Sequence, residues 1–260
     1  MNVCVLGGSG FVGTELVTRL ALAGHWVRVP TRNLARTERL RVLDTVELRV
    51  ANVHEPRILS QLFSGCDAVV NLVGILNPRR GASFDAVHTE LAAKAMAAAR
   101  TAGVRRVLHM SALGADAHAP SRYLRSKAAA EARLRAAPRP ELSHADPAVT
   151  IFRPSVIFGP RDSLTNRFAG LLRLTLGCLP LARARALPCR IVPLPDTLAR
   201  LQGLVMGLLP GKPFSLDNFR SLTLDSVCRE DGCRRLGITP RPMLAVLPTY
   251  LEPRRPAAFA

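Results

Sequence analysis

Short apolar runs recur through the first two-thirds of the chain, separated by longer stretches whose apolar residues fall three and four positions apart. The runs at 2–6, 26–31, 46–51, 68–73, 104–110 and 149–158 read as strands. The segments at 11–23, 34–42, 55–63, 83–102 and 121–137 read as helices. Leu16, Val17, Leu20 and Ala23 form one helical stripe, and Glu90–Ala99 is rich in strong helix formers before Gly103. Strict alternation of this kind predicts an α/β fold, a doubly wound parallel sheet with helices on both faces. Beyond residue 160 the pattern changes. Leucine and arginine mix over 166–187, an apolar helix over 196–209 stops at Pro210-Gly211, and the remainder is proline-rich. The expected organisation is a nucleotide-binding domain over 1–160 and a small substrate or interaction lobe over 161–260. That lobe would lie at the carboxyl edge of the sheet, where ligands bind in this architecture.

The first strand runs directly into Gly7-Gly8-Ser9-Gly10-Phe11-Val12-Gly13. The spacing satisfies Gly-x-Gly-x-x-Gly at 8, 10 and 13 and Gly-x-x-Gly-x-x-Gly at 7, 10 and 13. Such glycines permit a tight turn, approach of a pyrophosphate to the backbone, and close packing of helix on strand. The helix start then offers N–H groups and a positive dipole end to phosphate. A dinucleotide site of Rossmann type is therefore expected on Gly7, Gly10, Phe11, Val12 and Gly13. An acidic residue about twenty positions further on would bind the ribose hydroxyls of NAD. Thr31-Arg32 stands there instead, with Arg36 beyond, and this favours a 2′-phosphate and hence NADP(H) over NAD. The bland alternative for Arg32 is one more surface arginine.

Tyr123-Leu124-Arg125-Ser126-Lys127 puts a phenol and an ammonium on one helix face. A neighbouring cation lowers a phenol pKa and makes tyrosine a usable acid or base. Only two tyrosines and three lysines (Lys94, Lys127, Lys212) occur in the chain, so this coincidence is informative.

Composition changes little of this. The formal charge is +17, from 36 basic and 19 acidic residues, but nearly all the basic residues are arginines spread along the whole length. With 5% aromatics there is little to stack on bases, so a dedicated nucleic-acid binder is disfavoured. The six cysteines lack paired spacing, so neither a metal site nor disulfides are expected. Without a leader or an uninterrupted membrane-length apolar run, a cytoplasmic protein is expected. The segment 168–186 offers an apolar, arginine-flanked helix that would either cover the sheet edge or lie peripherally on the inner membrane.

Four motifs together resemble the short-chain dehydrogenase/reductases in their atypical and extended, NAD-dependent epimerase/dehydratase-like branches. They are Gly7-x-x-Gly10-x-x-Gly13, Asn71-Leu72-Val73-Gly74, Tyr123-x-x-x-Lys127 and Arg153-Pro154-Ser155-Val156-Ile157-Phe158-Gly159-Pro160. His109–Ala115 and Leu194-Pro195-Asp196 resemble, within that family, the nucleotide-binding accessory subunit of respiratory complex I and its bacterial relatives. The resemblance implies an NAD(P)-dependent oxidoreductase, epimerase or dehydratase acting on an unknown small molecule. Tyr123 would transfer the proton, Lys127 would tune it and hold the nicotinamide ribose, and Ser111 would contact the substrate carbonyl. It further assigns Asn52, Val53, Leu72, Val73, Gly74 and Pro154 to cofactor contacts.

Departures from the family pattern keep a second reading open. Asn52 replaces the usual Asp, and Ala112 and Leu113 stand where a catalytic hydroxyl is common. Ser111 is left as carbonyl contact or as a strand-end cap. A strand, a helix and a strand are missing near Cys189. The alternative is a non-catalytic nucleotide-binding subunit or assembly factor of a respiratory NADH dehydrogenase.

Overall fold

The computed structural model describes residues 1–136, 146–162, 165–166, 195–208, 214–228 and 230–251. Six strands form one parallel sheet: β1 (Asn2–Leu6), β2 (Trp26–Thr31), β3 (Val46–Val50), β4 (Ala68–Asn71), β5 (Arg106–Met110) and β6 (Ala148–Phe152). Their order is β3-β2-β1-β4-β5-β6, so the sheet winds outward in both directions from β1 and β4. The chain reverses direction at that central pair, and ligand crevices open there at the carboxyl ends of strands. The doubly wound α/β expectation holds.

Side-chain alternation along the central strands makes two cores. Cys4, Leu6 and Val69 face one way, onto Leu59 and Phe63 of α2 (Pro56–Phe63), Leu91 and Met96 of α3 (Leu91–Thr101) and Leu134 of α4 (Arg122–Arg135). Val3, Val5, Val27, Val29 and Val70 face the other way, onto Val17 of α1 (Phe11–Leu22) and Leu40. Both faces are apolar and covered, as a parallel sheet requires.

Several elements differ from the pattern reading, each for a local reason. The helix expected at 34–42 is a 3₁₀ helix, Leu34–Leu40, capped by Asn33 through its acceptance of the Ala35 N–H. The helix expected at 83–102 opens with a π turn, Asp85–Glu90, before α3. β4 stops at Asn71 because its Oδ1 accepts the Val73 N–H at 3.1 Å and turns the chain. β6 stops at Phe152, two residues before Pro154, which has no N–H to continue a ladder.

The described residues gather into two compact units. One holds Met1–Pro154 with Ser215–Ser226, and the other holds the described residues of 155–214 and 227–260. The segment Ser215–Ser226, read from sequence as part of the C-terminal lobe, thus packs with the sheet. Within the second unit, buried Asp162 accepts from Gly159 N at 3.1 Å, Thr165 N at 2.5 Å and Tyr250 Oη at 3.1 Å. The second unit also contains α5 (Asp196–Leu208). The segment 168–186 and the junction near Cys189 lie outside the described residues. Among the described residues, no helix is long and apolar enough to cross a membrane.

Candidate active site

The glycine turn closes with Gly10 N–H donating to Gly7 O at 3.0 Å, and Gly7 has φ +79°, a conformation that disfavours a side chain. A Cβ on Gly13 would stand 2.6 Å from the Gly8 Cα, so no other residue lets α1 approach the turn this closely. Gly10 caps α1 without a side-chain acceptor, leaving the first N–H groups, those of Phe11 and Val12, at an open helix end. Gly8, which Gly13 approaches, also packs against Val29, where an added Cβ would come within 2.8 Å.

The other expected cofactor residues line the same edge. Thr31 ends β2, buried, with its hydroxyl 3.4 Å from Ser9 of the glycine turn. Arg32 follows it, exposed, and has no carboxylate partner among the described residues. Asn52 and Val53 follow β3. The Asn52 amide donates to Glu55 at 2.9 Å, and Val53 packs on the α2–α3 core. Leu72 and Val73 lie against Gly7, whose Cβ would meet both at 3.1 Å. Pro154 follows β6, and its carbonyl accepts the Leu113 N–H at 2.8 Å.

Tyr123 and Lys127 project from the first two turns of α4. Lys127 is buried, and its Nζ donates to the Met110 carbonyl at 3.0 Å. The same Nζ is 3.2 Å from where a Cβ on Gly74 would be, so Gly74 is what lets the ammonium reach this position. It lies 6.0 Å from the Tyr123 ring centre. The protonation balance reverses the sequence expectation of a lowered phenol pKa. Burial raises Tyr123 to about 12. Burial also lowers Lys127 to about 8, against an opposing pull from Glu131.

Glu131 extends the Tyr123–Lys127 spacing by one more helical turn, a signal present in the sequence and missed. It is buried, and its carboxylate accepts from Ser111 Oγ at 2.6 Å, Arg153 Nε at 2.7 Å and Arg135 Nη1 at 2.9 Å. Burial pushes its pKa up, but the bonds from Arg153, Ser111 and Arg135 outweigh this and hold it below its usual range. The hydroxyl proton of Ser111 is directed at this carboxylate and not at local backbone.

Two histidines were also missed. His88, in the π turn, accepts the Ile75 N–H at Nε2 (3.0 Å), which leaves its proton on Nδ1 facing Ser126 Oγ at 2.8 Å. Ser126 Oγ in turn donates to the Tyr123 carbonyl at 2.7 Å. His88 thereby ties the loop after β4 to the helix that carries Tyr123. Burial lowers it to about 3, with Lys127 and His109 adding to the effect, so it is neutral. His109 is buried in β5 with both ring nitrogens unpartnered among the described residues. Nothing in a helix or strand pattern distinguishes these histidines from core residues.

The family profile described as NAD(P)H-binding matches residues 7–162. The chain belongs to that family, and its dinucleotide-binding domain is of short-chain dehydrogenase type. A Caulobacter vibrioides protein named ceramide reductase is 34% identical over 186 residues, covering 72% of this chain and 53% of the relative. The mitochondrial NADH dehydrogenase [ubiquinone] 1 alpha subcomplex subunit 9 of Arabidopsis thaliana is 32% identical over 182 residues, covering 68% and 43%. The chain thus spans about half the length of these relatives. The Bordetella bronchiseptica enzyme WbmG, solved in complex with NAD, shares the fold with TM-score 0.56 at 20% identity, over 69% of this chain and 61% of that one.

Proposed function

We propose that this chain is an NADP(H)-preferring carbonyl reductase in which Tyr123 is the proton donor and Lys127 its charged neighbour. The observation that carries the reading is the Lys127 ammonium, held on the Met110 carbonyl beneath Gly74, one turn from a phenol that stays protonated at neutral pH. The glycine turn, with room only for glycine at Gly7 and Gly13, suits a dinucleotide pyrophosphate. When bound, the nicotinamide supplies the hydride. The chain's part is to orient the carbonyl and deliver a proton to its oxygen as negative charge develops there. Tyr123 carries the proton that this direction needs, because burial keeps the phenol neutral at physiological pH. Lys127 would bind the nicotinamide ribose and stabilise the phenolate left behind. Arg32, with Thr31 and Arg36, would take the 2′-phosphate. Ser111 would meet the carbonyl only by giving up its bond to Glu131, so in the resting site it anchors Glu131.

That engagement of Ser111, together with Ala112 and Leu113 beside it, favours a second reading. The chain would then be a non-catalytic nucleotide-binding subunit or assembly factor of a respiratory NADH dehydrogenase, peripheral to the inner membrane. Bound nucleotide would act there by stabilising the fold. One experiment separates the two: NADPH and NADH titrations, followed by turnover of a carbonyl panel by wild type and Tyr123→Phe. NADPH binding with turnover lost in Tyr123→Phe supports the reductase. Binding with no turnover that depends on Tyr123 supports the subunit.

A further inference from the structure

The short helix α6 (Leu216–Leu222) comes from the far half of the sequence yet belongs to the same compact unit as the sheet. Its N-terminal box is closed by Ser215 and Asn218, and both residues also reach the loop after β4. The Ser215 hydroxyl lies 2.7 Å from Asn77 Oδ1, and Asn218 Nδ2 donates to the Leu76 carbonyl at 3.5 Å. Asp217, between them, points to α4. One of its oxygens accepts the Arg122 N–H at 2.7 Å and the other the Tyr123 N–H at 3.0 Å. Ser121 Oγ accepts the Leu124 N–H at 3.1 Å.

The first N–H groups of a helix have no partner inside it, and an end left to water frays. In α4 the first three are all satisfied, two of them by a residue 94 and 95 positions downstream. Tyr123 is the second residue of that helix, so its phenol direction depends on the first turn staying wound. A carboxylate is also the favourable charge at this end. We propose that Asp217 is a positioning residue for Tyr123: α6 straps the loop after β4 to the first turn of α4 and so holds the phenol at the site. The inference rests on the reading of Tyr123 as proton donor.

The test uses protein labelled with ¹³C at the tyrosine phenolic carbon. There are two tyrosines, Tyr123 and Tyr250, so two signals result, assigned with Tyr250→Phe. In Asp217→Ala the Tyr123 signal moves while that of Tyr250 stays, and amide hydrogen exchange at Arg122 and Tyr123 quickens about tenfold or more. NADPH affinity holds within about twofold, kcat falls about tenfold and KM changes less than about threefold. Asp217→Asn, which keeps one acceptor oxygen, recovers much of kcat and quickens exchange at one of the two amides. It carries the test should the alanine variant not fold.

An unmoved Tyr123 signal, with wild-type exchange at both amides in either variant, overturns the proposal. So does a moved signal with unchanged kcat when Tyr123→Phe abolishes turnover. If Tyr123→Phe retains turnover, the proton-donor reading has failed on its own account. The labelled signal then still decides whether Asp217 holds the ring.

Discussion

Lys127 and Gly74 meet at the centre of the site: the ammonium stands 3.2 Å from the point a Gly74 Cβ would occupy, with His88 Nε2 3.5 Å from the same point. The two residues come from the loop after β4 and the second turn of α4, and the absence of one side chain makes room for the other. A shift of Lys127 away from an added Cβ would strain the bond from its Nζ to the Met110 carbonyl. Gly74→Ala is therefore expected to lower stability by about 1 kcal/mol through overpacking. It should also weaken NADPH about tenfold by displacing the ammonium. Thermal unfolding and fluorescence titration read the two effects separately. Wild-type affinity in the alanine variant would show that this close approach does not shape the ribose site.

The pH dependence of reduction follows from the same lysine. With Lys127 near 8 and Tyr123 near 12, the group that titrates first on raising pH is the lysine. Below about pH 7 the rate is expected to be level, and above about 8 to fall about tenfold per pH unit as Lys127 loses its proton. Steady-state kcat/KM from pH 6 to 10 measures this. A rate that rises over that range would refute the need for a protonated Lys127.

Cofactor choice turns on Arg32. A charge-assisted bond to a 2′-phosphate is worth about 1.5–3 kcal/mol, or roughly 10- to 100-fold in affinity. Arg32→Ala is expected to weaken NADPH by that factor and NADH by less than about twofold. Isothermal titration with both dinucleotides checks it, and equal losses would refute a phosphate contact.

His109 is a stability cost inside the sheet. Neither ring nitrogen has a partner among the described residues, and burial, with Lys127 adding, lowers its pKa to about 4 from the ordinary 6.5. The unfolded chain takes up a proton near 6.5 and the folded chain does not, so His109 destabilises the fold further as pH falls from 6.5 toward 4. His109→Leu, similar in volume and without polar atoms, is expected to gain about 1 kcal/mol at pH 7. Its advantage over wild type should grow toward pH 5. Urea unfolding at both pH values tests this, and a destabilised leucine variant would point to an ordered polar partner for the imidazole.

Much of this protein is legible in one dimension. Short apolar runs and period-3.6 patterning determined the alternating elements and the covered parallel sheet, because burial of both sheet faces makes the strands apolar on both sides. The glycine turn was legible for a similar reason: Gly7 and Gly13 are positions where a side chain has no room. Tyr123 and Lys127 could be paired because helical spacing carries geometry directly. What lay beyond the sequence depends on contacts between distant residues and on burial. The roles of Ser111 and Glu131 are set by a bond across twenty positions, from the end of β5 to α4. That His88 ties the loop after β4 to α4, and that Asp217 returns to cap α4, follows only from the folded path of the chain. The phenol's protonation was misjudged for the same reason. Charge proximity can be read from spacing, but desolvation, which raises the phenol here, exists only once the site is enclosed.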